Sequence, residues 1–270
     1  MSRTAFESVL RRDRLVVGVA LATLLMVAWA YLVYLSLAMS DMSSGDMAGM
    51  PGMSITMPGM HPWRWTEFAA LVVMWAVMMV AMMTPAAAPM ILTFASVHRR
   101  RTAAGEPSVT TSLFLLGYLL VWSVYSLVAA AVQVGLHGAA LLSGEMAATS
   151  SLFGGALLIA AGVFQWTALK SACLAACRSP LSFLMSRWRE GAGGALLMGL
   201  HHGLYCVGCC WVLMALLFVA GVMNLFWVAA IAVLVLAEKV APRGDALARV
   251  GGVGLIAAGV LLAIRSIAFA

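Results

Sequence analysis

Charge is scarce in this chain: Asp, Glu, Lys and Arg together make up 10% of its 270 residues, and 64% are hydrophobic. Soluble domains carry about 25% charged residues, so a water-facing surface is excluded. The expected fold is an all-α, polytopic integral membrane helix bundle. Also missing is a nucleotide-binding G-x-x-x-x-G-K loop, which removes a built-in motor for active transport. No C-x-x-C-H haem attachment motif is present either. The net charge of +6 does not point to nucleic acid. Basic residues cluster in short segments between apolar runs, where they orient a membrane chain.

Apolar runs near the roughly 20 residues a bilayer requires fall at 15–39, 67–92, 112–134, 150–169, 194–220, 225–237 and 250–268. About seven transmembrane helices are predicted, the sixth set off only by the turn-like segment 221–224. With the N-terminus cytoplasmic, fourteen of the 16 Lys and Arg residues lie inside and only Arg64 and Arg265 outside. That bias agrees with seven helices and places the C-terminus outside. The chain then divides into a cytoplasmic N-terminus (1–14), a first helix (15–39), a Met-rich outer loop (40–66), a metal-binding membrane core of helices two to six (67–240), a cytoplasmic loop (241–249) and a seventh helix (250–270). A cleaved signal peptide is the competing reading of residues 1–40, but the apolar core of such a peptide runs only about 7 to 15 residues.

Sulfur is abundant, with 20 Met and 5 Cys. In the outer loop Met42, Met47, Met50, Met53, Met57 and Met60 recur among Gly, Pro and Ser and end at His61. Thioethers on such a strand can wrap a soft cation, and they need lose no proton to do so. The second helix carries Met74, Met78 and Met82 on one face, and Pro85 is expected to kink it there. Met is equally a filler of cores, which is the plain alternative for this stripe.

Residues 201–210 read HHGLYCVGCC. On an ideal helix Met198, Cys206, Cys209 and Cys210 share a face with His202, whereas His201 points about 100° away. These are ligands that prefer Cu(I), and i, i+3 and i, i+4 pairs suit its low coordination number, so Cu(I) ranks above zinc, which usually takes four ligands. Cys173 and Cys177 are also four apart, beside Lys170 and Arg178, and are expected near the cytoplasmic surface, where positive charge favours a thiolate. Glu238 and Lys239 are expected to mark the inner membrane boundary, and His98, beside Arg99, reads as surface charge.

Several segments resemble a bacterial family described as predicted metal-binding integral membrane proteins, filed as a domain of unknown function and sometimes labelled copper chaperones. They are Phe164-Gln165-Trp166-Thr167 with Leu169-Lys170, Cys173-Leu174, Cys177-Arg178-Ser179-Pro180, the run from Gly203 to Trp211, Glu238-Lys239 and Met82-Met83-Thr84-Pro85. The resemblance spans about residues 65–240 and implies metal binding within the bacterial inner membrane. Ala168 stands where the family pattern has Pro, so the fourth helix is expected to end less sharply here.

Cu(I) handling is the leading expectation. The outer loop (Met50, Met53, Met57, Met60, His61) would capture the ion, Met78, Met82, His202, Cys206, Cys209 and Cys210 hold or relay it, and Cys173 with Cys177 exchange it inside. The partners would be the lipid bilayer and a copper donor or acceptor protein. A thiol-disulfide oxidoreductase using Cys206 and Cys209 and a structural accessory subunit remain open alternatives.

Overall fold

A computed structural model describes residues 3–43, 64–101, 107–139, 141–142 and 150–268. Among these the regular elements are α-helices: α1 (Arg3–Ser43), α2 (Trp65–Arg101), α3 (Pro107–Gly138), α4 (Ser151–Phe164), α5 (Ala168–Arg178), α6 (Pro180–Arg187), α7 (Gly191–Ala215), α8 (Leu217–Ala220), α9 (Leu225–Val240) and α10 (Gly244–Ala268). Among the described residues five segments are long and apolar enough to cross a membrane: Leu15–Ala38, Trp65–Arg99, Thr110–Gly138, Gly191–Ala220 and Gly244–Ser266. The count becomes six if α4 and α5 form one span, broken by a 63° bend.

The fourth and sixth apolar runs therefore differ from the rest. At 1.5 Å per residue the 14 residues of α4 reach about 21 Å and the 16 of α9 about 24 Å, short of a hydrocarbon core of about 30 Å. The break after α4 is sharp without the proline at position 168. Thr167 takes an extended backbone (φ −73°, ψ 148°), and its side chain accepts from the Lys170 N–H. A side-chain cap thus starts α5 in a new direction. In α2 the chain stays helical through Pro85 and Pro89, so the proline expected to kink it does not end the helix.

The middle of the molecule is α2 and α7, half or more buried along their apolar windows (50% and 56%), while α1 and α10 are 17% buried and present Val16, Val19, Met26, Val250 and Leu261 outward. Such an apolar exterior suits lipid. α7 packs between α3 and α5. The α3–α7 crossing is close because Gly199 faces the Phe114 backbone and Gly117 faces that of Leu196 and Leu200. A Cβ at either glycine would overlap the opposite main chain, so only glycine permits the approach.

Candidate metal centre

The face of α7 expected from its spacing is the buried one: Met198, His202, Cys206, Cys209 and Cys210 are each at most 1% exposed. His201 is only partly buried. The five cysteines are free and buried. The thiols of Cys209 and Cys210 both turn back on the Cys206 carbonyl, at 3.1 and 2.8 Å.

Cys173 and Cys177, expected as a pair near the cytoplasmic surface, are buried and pack with the α7 cysteines. The bend after α4 lays α5 against α7, and α5 turns Lys170, Cys173, Leu174 and Cys177 inward, at the i, i+3, i+4, i+7 spacing of one helix face. Cys177 interacts with both Cys206 and Cys209, and Cys210 with the same two. Four thiols therefore form a closed group. Cys173 sits at its edge, against Gly208, where an added Cβ would lie 2.7 Å from its Sγ.

On the α2 side the methionine in contact is Met83, whose Sδ is 3.8 Å from Cys210 Sγ. Met78 and Met82 are fully buried in the same core. The Tyr118 hydroxyl, from α3, donates to the Met83 carbonyl at 3.1 Å and lies 3.2 Å from Cys206 Sγ. The His202 ring packs against Tyr118, Phe114 and Phe183, with centroids 5.4, 6.1 and 5.8 Å away. Neither of its nitrogens has a hydrogen-bond partner among the described residues.

Glu238 and Lys239, expected at the inner membrane boundary, stand at the end of α9 with their side chains buried and turned toward the same centre. Lys239 Nζ donates to Cys206 Sγ at 2.8 Å. Glu238 pairs with Lys170 at 2.5 Å and accepts from Gln165 Nε2 at 2.9 Å. Lys170 and Lys239 are the only lysines in the sequence, and both are in this centre. At the far end of α2, His98 is likewise buried instead of lying on the surface, stacked on Phe94 at 5.8 Å and near Trp188 at 6.3 Å.

Among the described residues no three or more His, Cys, Asp or Glu side chains stand as a ready-made metal site. Their donor atoms point at one another, at the α7 backbone and at Lys239. Met50, Met53, Met57, Met60 and His61 lie outside the described residues. Sequence reasoning passed over Tyr118 and the inward role of Lys170, Glu238 and Lys239, and it named Met83 and Gln165 only as part of the resemblance. Opposite charges embedded beside apolar runs were the available signal.

Comparisons with curated proteins and with solved structures found no match. A family profile described as copper chaperone matches residues 72–262, from within α2 to within α10 and including every described residue of the centre. The chain belongs to this copper chaperone family.

Proposed function

We propose that this protein holds Cu(I) inside a membrane bundle and passes it to or from a partner protein, with Cys206, Cys209, Cys210 and Cys177 as the thiol donors. The observation that carries the reading is the convergence of two cysteine motifs, from α5 and α7, on one buried group flanked by Met83 and by the His202 imidazole. Soft thiolate and thioether donors select Cu(I). A two-donor complex needs only two of these sulfurs to turn toward each other. A buried imidazole with both nitrogens unpartnered is costly by itself, and an ion on one nitrogen offsets that cost.

The sulfurs also form a series. Met74, Met78 and Met82 lead along α2 to Met83, which meets Cys210, which meets Cys206 and Cys209, which meet Cys177. Exchange of one ligand at a time along such a row moves a monovalent ion without exposing it to water. Seven spans, with α4 and α9 as short ones and the N-terminus in the cytoplasm of a bacterial inner membrane, put the α5 cysteines toward the inner side. The Met-rich segment 40–66 then gathers copper outside. A thiol-disulfide role suits the geometry less, because Cys206 and Cys209 are at most 1% exposed and a partner thiol needs contact with sulfur.

Metal analysis of the purified protein under anaerobic, reducing conditions tests the reading. Stoichiometric copper that falls away in Cys206→Ala and Cys209→Ala is the expected result. Unchanged stoichiometry and affinity in both variants would defeat it.

A further inference from the structure

The charges around the thiols do not cancel. Lys170 is neutralised by Glu238 at 2.5 Å, and Arg178 by Asp245 at 3.1 Å, with the Arg178 guanidinium also on the Ala241 and Pro242 carbonyls. Gln165 is neutral and completes the Glu238 side. Lys239 is left over: its Nζ is directed at Cys206 Sγ, and both oxygens of its neighbour Glu238 are taken. A buried cation without a carboxylate needs another anion. Among the described residues, the remaining anions this centre can supply are its sulfurs.

The geometry points to Lys239 as the residue that sets the charge of the bound ion, by making a two-thiolate complex of a monovalent soft metal the neutral state of the site. This rests on the metal-binding reading above. Two thiolates around Cu(I) or Ag(I) carry one net negative charge, which the Lys239 ammonium cancels. Two thiolates around Zn(II) or Cd(II) are already neutral, and Lys239 leaves that assembly with a surplus positive charge in a low-dielectric interior. A divalent ion regains neutrality only by recruiting a third thiolate, so that three of the four thiols must turn on one ion, and among the described residues no such threesome stands ready-made. Lys239 is therefore a specificity residue outside the coordination sphere.

Competition titrations on the full chain in detergent micelles, with Ag(I) and Cd(II) as probes and Cu(I) under anaerobic conditions, read this directly. Wild type should favour Ag(I) over Cd(II). Lys239→Met should shift the ratio of affinities toward Cd(II) by roughly a thousandfold, the size of one charge–charge interaction at about 4 Å and an effective dielectric constant of about 20. Lys239→Arg should keep the wild-type ratio. A merely structural lysine would weaken both metals together in Lys239→Met and leave the ratio alone, and that result overturns the inference while sparing the metal-binding reading. Glu238→Gln, which adds a net positive charge to the same layer, should move the ratio further toward Ag(I). If Lys239→Met does not fold, this second variant decides, and a shift toward Cd(II) refutes the inference. Wild type that takes up neither ion ends the metal-binding reading and this inference together.

Discussion

Lys170→Met tests whether the charges beneath the thiols are as enclosed as their geometry says. The Lys170–Glu238 pair is 2.5 Å long, with side chains 1% and 2% exposed. Taking away the ammonium leaves Glu238 with one hydrogen bond, from Gln165, and no counter-charge. Breaking a buried pair from one side costs about 3–5 kcal/mol, because the remaining carboxylate keeps its desolvation penalty and loses its compensation. Methionine fills most of the lysine volume, so packing adds little to that cost.

The double variant Lys170→Met/Glu238→Gln removes both charges and keeps an amide opposite Gln165. It should recover all but about 1 kcal/mol, the net worth of an ordinary hydrogen bond. The assay is reversible denaturant unfolding in micelles, with copper affinity measured on the same samples. Affinity should follow stability: Lys170 is one turn before Cys173 and two before Cys177, and it fixes one end of α5 while Arg178 fixes the other on Ala241, Pro242 and Asp245. A single variant that loses less than about 1 kcal/mol, or a double variant as unstable as the sum of its parts, would show that this pair is solvated and that the argument from burial is wrong.

Three further substitutions separate fold from function. His202→Phe puts an apolar ring of similar shape among Phe114, Tyr118 and Phe183 and removes two unpartnered nitrogens, so thermal stability should hold or rise while copper affinity falls. Equal losses of both would count against His202 as a ligand. Met83→Leu conserves volume and should cost less than about 1.5 kcal/mol, yet slow copper transfer to a chelator if the Met83–Cys210 contact is a step on the route; unchanged transfer kinetics would remove it. Gly199→Val drives a branched side chain into the Phe114 backbone and should abolish the α3–α7 approach, seen as a loss of folded protein by size-exclusion chromatography. Normal yield and melting would mean that these helices are further apart.

Much of this centre was legible in the order of residues. The α7 face came from a helical period alone, because in a membrane helix residues at i, i+4 and i+8 meet the same neighbours whatever those neighbours are. Met198, His202, Cys206 and Cys210 follow that period, and all are buried. The association of α5 with α7 is of another kind. It depends on a 63° change of direction made by the Thr167 cap, and hydropathy reads residues 150–169 straight through that point.

The lysines show why reading charge along one dimension misleads here. Lys170, Glu238 and Lys239 each stand at the end of an apolar run, where a charge ordinarily reaches for the headgroups. Each alone would do so. Two opposite charges brought together by folding can instead go inward, since each removes the other's penalty, and the bend at Thr167 delivers Lys170 to Glu238. Lys239 then follows its neighbour in with no carboxylate of its own, and Cys206 is what it finds. The sequence holds 14 arginines and two lysines, although either cation serves to orient a membrane chain. A lysine is the better residue for the interior position: a compact point charge on a flexible stem can stay beside a sulfur as the metal arrives, whereas a planar guanidinium with five donors demands more partners than this pocket of thiols supplies.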